Sequence, residues 1–530
     1  MKKTLLTIMP TALLALTSMT GCSKGLGSAD TDNLNVNIDT HGVELDIWTG
    51  FGEGGANPKQ KLEDILETFT QKTGIKVTHT SKGGYDNLQQ AIDLSVTTKD
   101  YPNVALGYPD HFAGYINSNI QLRLDGLLKN DSKREMVKKD EEGFDVDADG
   151  IRRMNYEDFY TDFVEENETL EHKSNGEGYV LGLPFNKSSE VMVYNAQFFD
   201  WVKTRSELKD KIFVPSTWEE VSSVNTEVRK FFQDKGVMGK LLLSDGNVYD
   251  AMPEGTTLSL VFDGIKANAN NDKGEFRLLS YDSTSNAMTT FLRQFDSRLT
   301  EIDEKVSLKG YAAFNDAKYR ENTLKATATI RKLGEEKAFG IPASFGESLY
   351  CSTPFKNYKS LLNIGSTGGV SNCIGSFAVK AHAIPQNGAN EKKFVISQGT
   401  NLALFNKGTE AQKVAAWKLM IYLSQQANGT FAATTGYFPT CKAAYNSTDY
   451  QDYLNNSYGA GEKLQQDAAI INSIEYTRSG WTRFTDPGFQ GSSAVRTECG
   501  YIPGKILTNE GTDQAILDAS YVVLQDYVRK

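Results

Sequence analysis

The alternation of strand-like and helix-like segments after residue 43 constrains the fold of this chain most. Residues 43–47 alternate apolar and polar side chains, which predicts a strand, and residues 62–69 carry apolar side chains at helical spacing. We expect Gly74 to end that helix, and Ile75 to Thr80 predict a second strand. A second amphipathic helix and a third apolar run follow. Alternating strands and helices predict an α/β fold with a parallel sheet, which binds ligands at the carboxyl ends of its strands.

The first 21 residues have the pattern of an export signal. Lys2 and Lys3 precede an apolar stretch that is shorter than the roughly 20 residues needed to span a bilayer as a helix. Thr20 and Gly21 stand directly before Cys22, and this step resembles the bacterial lipobox, in which the cysteine is lipidated. An ordinary secretory peptide with a stray cysteine is the alternative. Either interpretation places the folded part outside the cytoplasm.

The remaining chain is longer than one hydrophobic core usually covers, so at least two domains are expected. Residues 22–42 are rich in Gly, Ser, Asp and Asn and predict a flexible tether. The net charge of −11 argues against a nucleic-acid partner. Four further cysteines predict either two disulfides or buried free thiols, and they are Cys351, Cys373, Cys441 and Cys499.

One acidic stretch has part of the pattern of a calcium loop. Asp145, Asp147 and Asp149 have the carboxylate spacing of an EF-hand, and Gly150 follows them. Tyr156 stands where an EF-hand has its bidentate glutamate. A structural calcium site and a solvated acidic turn therefore remain alternatives, and no other cofactor is expected.

The glycine-rich loop at residues 50–55 fits the spacing G-x-G-x-x-G between a strand and a helix. The strand that follows ends without an acidic residue to bind a ribose, which speaks against a dinucleotide site. A turn that lines a different ligand site is the preferred interpretation.

Several short segments follow one another along the chain in a characteristic order, and together they span most of it. They are Leu45-Asp46-Ile47-Trp48, Lys82-Gly83-Gly84-Tyr85-Asp86, Pro102 to Tyr115, Gly182-Leu183-Pro184-Phe185, Ser216-Thr217-Trp218-Glu219-Glu220, Ser397-Gln398-Gly399-Thr400-Asn401, Gly436-Tyr437-Phe438-Pro439 and Ala494-Val495-Arg496. In this order they resemble the extracellular solute-binding proteins of ABC importers, in the carbohydrate-binding family that includes maltodextrin and glycerol-3-phosphate binders.

The resemblance implies a periplasmic-binding-protein-like fold of two α/β lobes, with the ligand in an interlobe cleft that closes by hinge motion. Lobe one would comprise residues 43–186 and 360–406, and lobe two residues 187–359 and 407–530. The implied function is capture of a sugar or polyol phosphate outside the cell and delivery to membrane permease subunits. The protein would be a monomer anchored to the cell membrane at Cys22, without catalytic residues. An exported glycosidase with paired carboxylates is the alternative function.

The resemblance also assigns ligand-binding residues, which combine planar side chains with hydrogen-bonding groups, as sugar sites require. In family position these are Trp48, Phe51, Glu53, Tyr85, Asp86, Tyr108, Asp110, His111, Ser366, Thr367, Gly368, Gly399, Thr400, Asn401, Tyr437, Trp481, Arg483, Phe484 and Ser492. The chain departs from the maltodextrin binder at residues 490–493, where Gln-Gly-Ser-Ser replaces a bulky aromatic run. A smaller or more polar ligand is therefore expected, with Arg483 or Arg496 as partner if it is an anion.

Overall fold

The computed structural model describes residues 29–52, 57–234, 276–303, 305–375, 377–478 and 480–528. These residues form two α/β lobes, each built on a five-stranded sheet with its own buried core. Each lobe is assembled from segments that are distant in sequence, because the chain crosses between the lobes more than once.

The sheet of the first lobe begins with the predicted strand–helix–strand unit. Its strands lie in the order Lys76–Ser81, Glu44–Thr49, Val104–Gly107, Asn401–Leu404 and Leu183–Pro184. The first three strands are parallel, and the fourth runs antiparallel to both of its neighbours. The predicted parallel pairing of the first two strands is therefore confirmed.

Local sequence explains where the first helix, Pro58–Thr73, begins and ends. The Asn57 side chain accepts a hydrogen bond from the backbone N–H of Gln60 at 3.4 Å, and a proline in the first turn loses no backbone donor that the helix uses. Gly74 adopts φ 71°, and its N–H donates to the carbonyl oxygen of Thr70 at 2.9 Å. The predicted apolar stripe of this helix is buried against the first sheet.

The other helices of the first lobe cover the same core from both faces of its sheet. They are Tyr85–Ser95, Pro109–Asn117, Asp125–Asp131, Thr161–Val164, Glu410–Ile421, Asn428–Thr435 and Lys442–Tyr445. The helix Thr448–Asn455 lies beside them, against a small aromatic cluster.

The second lobe has a mixed sheet covered by longer helices. Its strands lie in the order Phe339–Gly340, Leu279–Tyr281, Leu362–Ser366, Glu190–Asn195 and Val379–His382. Its helices are Ala196–Lys203, Trp218–Asp234, Thr284–Gln294, Arg320–Glu335, Ser352–Lys356, Ala460–Ile470, Ser492–Leu507 and Asp513–Val523.

Shorter elements complete the described chain. Three two-stranded sheets pair Lys138–Lys139 with Asp145–Val146, Thr300–Ile302 with Gly310–Ala312, and Lys393–Ile396 with Trp481–Phe484. Short 3₁₀ turns span Tyr156–Asp158, Glu165–Asn167, Pro342–Phe345, Thr367–Cys373 and Gln525–Tyr527, and π-helical turns span Tyr422–Gln426 and Ile471–Glu475.

The lobe limits differ from those that the resemblance implied. Within residues 360–406, expected in lobe one, the strands Leu362–Ser366 and Val379–His382 pair on either side of Glu190–Asn195 in the second sheet. The helix Glu410–Ile421, expected in lobe two, packs into the core of the first lobe. Strand pairing and burial of apolar side chains, rather than order along the chain, decide the lobe of each segment.

The predicted tether is wrong for residues 29–42, which pack against the first lobe. Thr31, Val36 and Thr40 are buried, and the Thr31 hydroxyl donates to the carbonyl oxygen of Arg123 at 2.7 Å. A Cβ at Gly126 would lie 2.3 Å from the backbone of Asp32, so the glycine permits this close approach. The polar composition was misleading because several of these side chains, among them Asp30, Thr31 and Asn37, hydrogen-bond to the lobe.

The acidic stretch at residues 145–149, where the sequence left a calcium site and a solvated turn as alternatives, has its carboxylates paired with cations. Each of its three carboxylates has a cationic partner within 3.0 Å, namely Lys139 for Asp145, Arg134 for Asp147 and Lys418 for Asp149. Across the described part of the chain, no group of three or more potential ligands is arranged to hold a metal ion. The carboxylates instead fasten residues 145–149 to the first lobe.

The four cysteines that the sequence left open are buried free thiols. Burial raises the pKa of Cys373 and Cys441 to about 12, which keeps both thiols protonated. None of the helices in the described ranges is long and apolar enough to cross a membrane.

Candidate ligand cleft

A cleft of about 1080 Å³ lies between the two lobes and is lined by both. The first lobe contributes the beginnings of the helices Tyr85–Ser95 and Pro109–Asn117, which follow strands of its sheet. The second lobe contributes strand ends and the beginning of the helix Ser492–Leu507. The cleft therefore lies where the carboxyl ends of the first-lobe strands face the second lobe.

Three tyrosines form the first-lobe wall of the cleft. The rings of Tyr85 and Tyr108 meet edge to face with centroids 5.2 Å apart, and the ring of Tyr437 stacks on Phe431 at 5.8 Å. Gly50 makes room for this wall, because a Cβ there would lie 2.7 Å from the ring of Tyr85. The wall offers planar apolar faces of fixed orientation.

The hydroxyl groups of these tyrosines stay protonated. Burial raises the pKa of Tyr85, Tyr108 and Tyr437 above the ordinary value of 10.0, with neighbouring phenol groups adding to the rise for Tyr85. The Tyr85 hydroxyl accepts a hydrogen bond from Asn186 Nδ2 at 2.9 Å. Tyr85 in turn donates to the Tyr437 hydroxyl, so the hydroxyls of Tyr108 and Tyr437 can donate to a ligand oxygen while the rings offer faces for stacking.

Two carboxyl groups form part of the opposite wall. Glu190 begins a strand of the second sheet, and Asp282 directly follows the strand Leu279–Tyr281 two positions across the sheet. Gly365, on the strand between them, leaves room for the Asp282 side chain, because a Cβ there would lie 2.4 Å from Asp282 Oδ2. Desolvation raises the pKa of Glu190 to about 7 and that of Asp282 to about 6.

The helix Ser492–Leu507 carries the remaining polar groups of the second-lobe wall. Ser493 Oγ donates to Asp110 Oδ2 of the first lobe at 3.2 Å, and the Arg496 guanidinium donates to Asn286 Oδ1. Ser492 Oγ donates to the carbonyl oxygen of Phe489 at 2.8 Å. Contacts across the cleft thus already join the lobes on this side.

The floor of the cleft is formed where the chain crosses between the lobes. Lys187 is fully buried, and its ammonium group donates to Glu166 Oε1 and to the carbonyl oxygen of Gly399, the latter at 3.4 Å. Gly399 has φ 91°, and a Cβ there would lie 1.9 Å from the carbonyl oxygen of Asn186. Only glycine fits this crossing without a backbone shift.

Ten of the residues assigned by resemblance line this cleft. They are Tyr85, Asp86, Tyr108, Asp110, His111, Ser366, Gly368, Gly399, Tyr437 and Ser492. Tyr437 packs against the core of the first lobe, although the predicted limits put it in lobe two.

Other assigned residues lie outside the cleft lining. Thr367, Thr400 and Asn401 are buried in the crossing region, and the Asn401 side chain donates to Glu166 Oε1 at 2.7 Å. Phe51 is buried beneath the tyrosine wall, 6.3 Å from Tyr437 between ring centroids. Glu53 lies outside the described residues.

Trp48 and Trp481, the two expected tryptophan ligands, also lie away from this cleft. Trp48 points to the face of its strand opposite to Ile47, and the Lys82 ammonium covers its ring at 3.6 Å from the centroid. Trp481 lines a separate second-lobe cavity of about 360 Å³, and its indole N–H donates to Glu475 Oε1 at 3.2 Å.

Arg483 and Phe484 pack within the protein. Arg483 Nε donates to Asp162 Oδ2 at 2.6 Å, so its charge is already paired. Phe484 is buried against Phe394, and Arg293 lies over its ring at 4.5 Å from the centroid. Neither side chain lines the interlobe cleft.

Several lining residues escaped the sequence analysis, among them Glu166, Asn186, Glu190, Asp282, Tyr350 and Ser397. One signal for them existed in the polar run of residues 186–190, which directly follows the apolar segment 183–185 at the expected crossing between lobes. Asp282 also follows a short run, residues 278–281, in which Ser280 is the one polar residue beside two leucines and a tyrosine. Polar residues that follow buried strands are where such sheets bind ligands.

A family model described as bacterial extracellular solute-binding protein matches residues 64–456. The chain belongs to this family. Members of the family bind solutes outside the cell and are not enzymes, so the glycosidase alternative is not supported. A comparison with curated protein sequences gave no match.

Solved structures of solute-binding proteins share the two-lobed fold over nearly their whole length. UgpB of Mycobacterium tuberculosis in complex with glycerophosphocholine matches with a TM-score of 0.60 at 15% identity. The match covers 91% of this chain and 98% of the UgpB chain. The substrate-binding protein Lmo0181 of Listeria monocytogenes, in complex with cycloalternan, has a TM-score of 0.60 at 12% identity, with coverage of 91% and 98%. The GacH receptor of Streptomyces glaucescens, solved unliganded and with acarbose, has a TM-score of 0.59 at 12% identity, with coverage of 91% and 99%.

Proposed function

We propose that this solute-binding protein captures a saccharide in the interlobe cleft and delivers it to the permease subunits of an ABC importer. The observation that carries the proposal is the tyrosine wall of Tyr85, Tyr108 and Tyr437 opposite the polar second-lobe wall. A sugar ring has an apolar face that stacks on an aromatic ring, and hydroxyls that need donors and acceptors around its edge.

The bound ligands of the solved structures support this choice. Acarbose and cycloalternan are saccharides, and glycerophosphocholine is a polyol phosphodiester. A polyol phosphate is the second candidate, because the Arg496 guanidinium lines the cleft and is suited to a phosphate. The carboxyl groups of Glu190 and Asp282 on the same wall disfavour an anion there, so the saccharide is preferred.

Capture requires that the lobes close on the ligand. Ligand binding favours a closed state only through contacts that the open state lacks, and groups from both lobes provide them here. No covalent step is needed, and a monomer is sufficient because both walls belong to one chain.

The test is a thermal-shift screen of mono-, di- and oligosaccharides and glycerol phosphodiesters, followed by calorimetry on any ligand that raises the melting temperature. For that ligand, Tyr437→Ala should weaken binding by about 10- to 100-fold, because a stacking face is lost. Tyr437→Phe should retain the stacking part. Tyr501→Ala is the matched control, since Tyr501 is exposed on the second lobe and does not line the cleft.

The outcome is read from affinity and fold together. If Tyr437→Ala melts cooperatively and binds the ligand with unchanged affinity, the tyrosine wall is not part of the binding site. Stabilisation by glycerol phosphodiesters alone would select the second candidate.

We also propose that Cys22 carries a lipid that holds the protein at the outer face of the cell membrane. The support is the Thr20-Gly21-Cys22 step after the apolar stretch, and Cys22 lies outside the described residues. Cys22→Ala should move the protein from the membrane fraction to the medium. An equally soluble wild-type protein would contradict the anchor.

A further inference from the structure

Carboxyl groups outnumber cations on the lining of the cleft. Six carboxyl groups line it, and they belong to Asp86, Asp110, Glu166, Glu190, Asp282 and Asp486. Glu166 and Asp486 are paired with Lys187 and Arg293, which neutralise them. The other four face only Lys356, Arg496 and the imidazole of His111 among the described lining residues. The cleft therefore has a surplus of negative charge.

Glu190 and Asp282 stand out because neutral groups surround them. Glu190 is buried and accepts hydrogen bonds from the Tyr281 hydroxyl and from Gln398 Nε2, the latter at 3.3 Å. Asp282 is partly exposed to the cleft and accepts from the backbone N–H of Cys351 at 2.8 Å. Within the described chain, neither carboxyl has a cationic group within 4.0 Å.

The charged and titratable groups around the two carboxyls do not compensate them. Arg496 is the cation that acts on Glu190, while Tyr281 donates to it and Asp282 repels it. Asp282 has the protonated thiols of Cys351 and Cys373 beside it. Arg496 thus acts on Glu190, no cation is among the groups that shift the pKa of Asp282, and removal from water is the main cause that raises the pKa of both carboxyls.

A separate observation indicates that this part of the cleft is shaped for a polar ligand. Ser397 lines the cleft and is 6% exposed, and its hydroxyl has no hydrogen-bond partner among the described residues. Buried polar groups in proteins nearly always have a partner. A ligand hydroxyl near Gln398 would supply it.

We propose that the ligand is a saccharide carrying a protonated primary amine, and that Glu190 and Asp282 bind this amine while the tyrosine wall packs against the sugar ring. The proposal rests on the saccharide function proposed above and narrows its ligand class. An ammonium group supplies the missing positive charge and up to three N–H donors to the two carboxyl groups. A quaternary ammonium has no N–H to donate and leaves the carboxyl oxygens without that bond.

The test uses matched pairs of sugars that differ at one nitrogen, which is a primary amine in one member and an uncharged acetamide in the other. Glucosamine, galactosamine and the glucosamine disaccharide are each compared with the N-acetylated form, by calorimetry on the full mature chain at pH 7.5. At least one amine should bind about 10- to 100-fold more tightly than its acetamide, as expected for a charge-assisted hydrogen bond. Glu190→Gln and Asp282→Asn should each bring the ratio of amine to acetamide affinity close to one, whatever their effect on the affinity for the acetamide.

The number of protons released when the ligand binds gives a second test. When an ammonium group enters, the partly protonated carboxyls should release protons, so binding at pH 6.5 should show net proton release in buffers of different ionisation enthalpy. Glu190→Gln should reduce the release. Asp282→Asn provides the same test if the first variant does not fold.

The outcomes separate this inference from the function on which it rests. If no amine binds more tightly than its acetamide while neutral sugars bind, the amine proposal is wrong and the saccharide function stands. Tighter binding of glycerophosphocholine than of every amino sugar would also overturn the amine proposal. If no sugar of any kind binds, both proposals fail.

Discussion

Replacing Arg134 by methionine should strongly destabilise the first lobe. The guanidinium is 2% exposed and lies between two buried carboxylates, with Nε 2.9 Å from Asp131 Oδ1 and Nη1 2.5 Å from Asp147 Oδ2. It also donates to the carbonyl oxygens of Ile151 and Arg152. Arg134 thereby joins the acidic stretch, which the sequence suggested as a calcium loop, to the rest of the lobe.

The expected loss follows from the charges left behind. Removing one partner of a buried ion pair costs about 3–5 kcal/mol, because the remaining charge is buried without compensation. Asp147 keeps a distant cation, with Lys418 Nζ at 3.7 Å, whereas Asp131 retains only neutral donors such as the Trp417 indole at 3.1 Å. The expected loss in the free energy of unfolding is therefore that of one uncompensated charge. For a unit of lobe size, this corresponds to a melting temperature lower by about 6–20 °C.

Differential scanning calorimetry on wild type, Arg134→Met and Arg134→Lys measures this effect. The lysine variant should fall between the other two, because an ammonium group keeps the charge but lacks the planar fork that reaches both carboxylates. Lys139→Met is the control, since Lys139 and Asp145 form a pair with side chains 66% and 58% exposed. Its effect should stay within about 0.5 kcal/mol.

Two results would refute the reasoning. Arg134→Met could melt no lower than Lys139→Met, which would mean that the buried cluster contributes little. Alternatively, added calcium could restore the melting temperature of Arg134→Met, which would show that these carboxylates bind metal.

Two further predictions concern the crossing region and the second-lobe wall. Gly399→Ala should lower both the stability of the protein and its ligand affinity, because the new Cβ would lie 1.9 Å from the Asn186 carbonyl oxygen. Gly114→Ala is the control: Gly114 lies in a helix with open space around it, so this change should raise the stability of the protein by about 0.5–1 kcal/mol. If calorimetry shows the same change in stability for both variants, Gly399 does not lie as close to the Asn186 carbonyl oxygen as described. Burial raises the pKa of Glu190 to about 7 from 4.5, so the folded state holds a proton that the unfolded state releases. Stability of the wild type relative to Glu190→Gln, from urea midpoints, should therefore fall as the pH rises from about 4.5 to 7, and a constant difference would contradict this.

Local patterns allowed the first elements of the fold to be predicted. The helix Pro58–Thr73 needs only its own apolar spacing and the glycine that follows it, and both are visible in the sequence. The spacing of Thr217 and Glu220, also visible in the sequence, is that of a capping box, and Thr217 Oγ1 accepts from the backbone N–H of Glu220 at 3.1 Å. Helix boundaries that depend on contacts within one turn can therefore be predicted without knowledge of the rest of the chain.

The site was less predictable because it depends on the direction of side chains and on pairing between distant segments. Trp48 follows Ile47 in a strand, so one of the two must face away from the core, and composition does not say which. Glu190 and Asp282 are 92 residues apart and line the same cleft only because both of their strands pair with the strand Leu362–Ser366. Tyr85 and Tyr108, which the resemblance assigned, stand at the beginnings of two helices that directly follow strands, where local sequence and fold agree.

The packing of residues 29–42 against the first lobe limits how far the protein can move from a membrane if Cys22 bears the proposed lipid. Only the six residues 23–28 separate Cys22 from Ala29, which bridges to Leu122 on that lobe. Even fully extended, this length reaches about 25 Å. If Cys22 bears the proposed lipid, the first lobe stays within roughly its own diameter of the bilayer, while the second lobe is joined to it through the crossings. An anchored molecule of this kind searches for a permease by diffusing sideways in two dimensions, and it presents its cleft at a nearly constant height above the lipid.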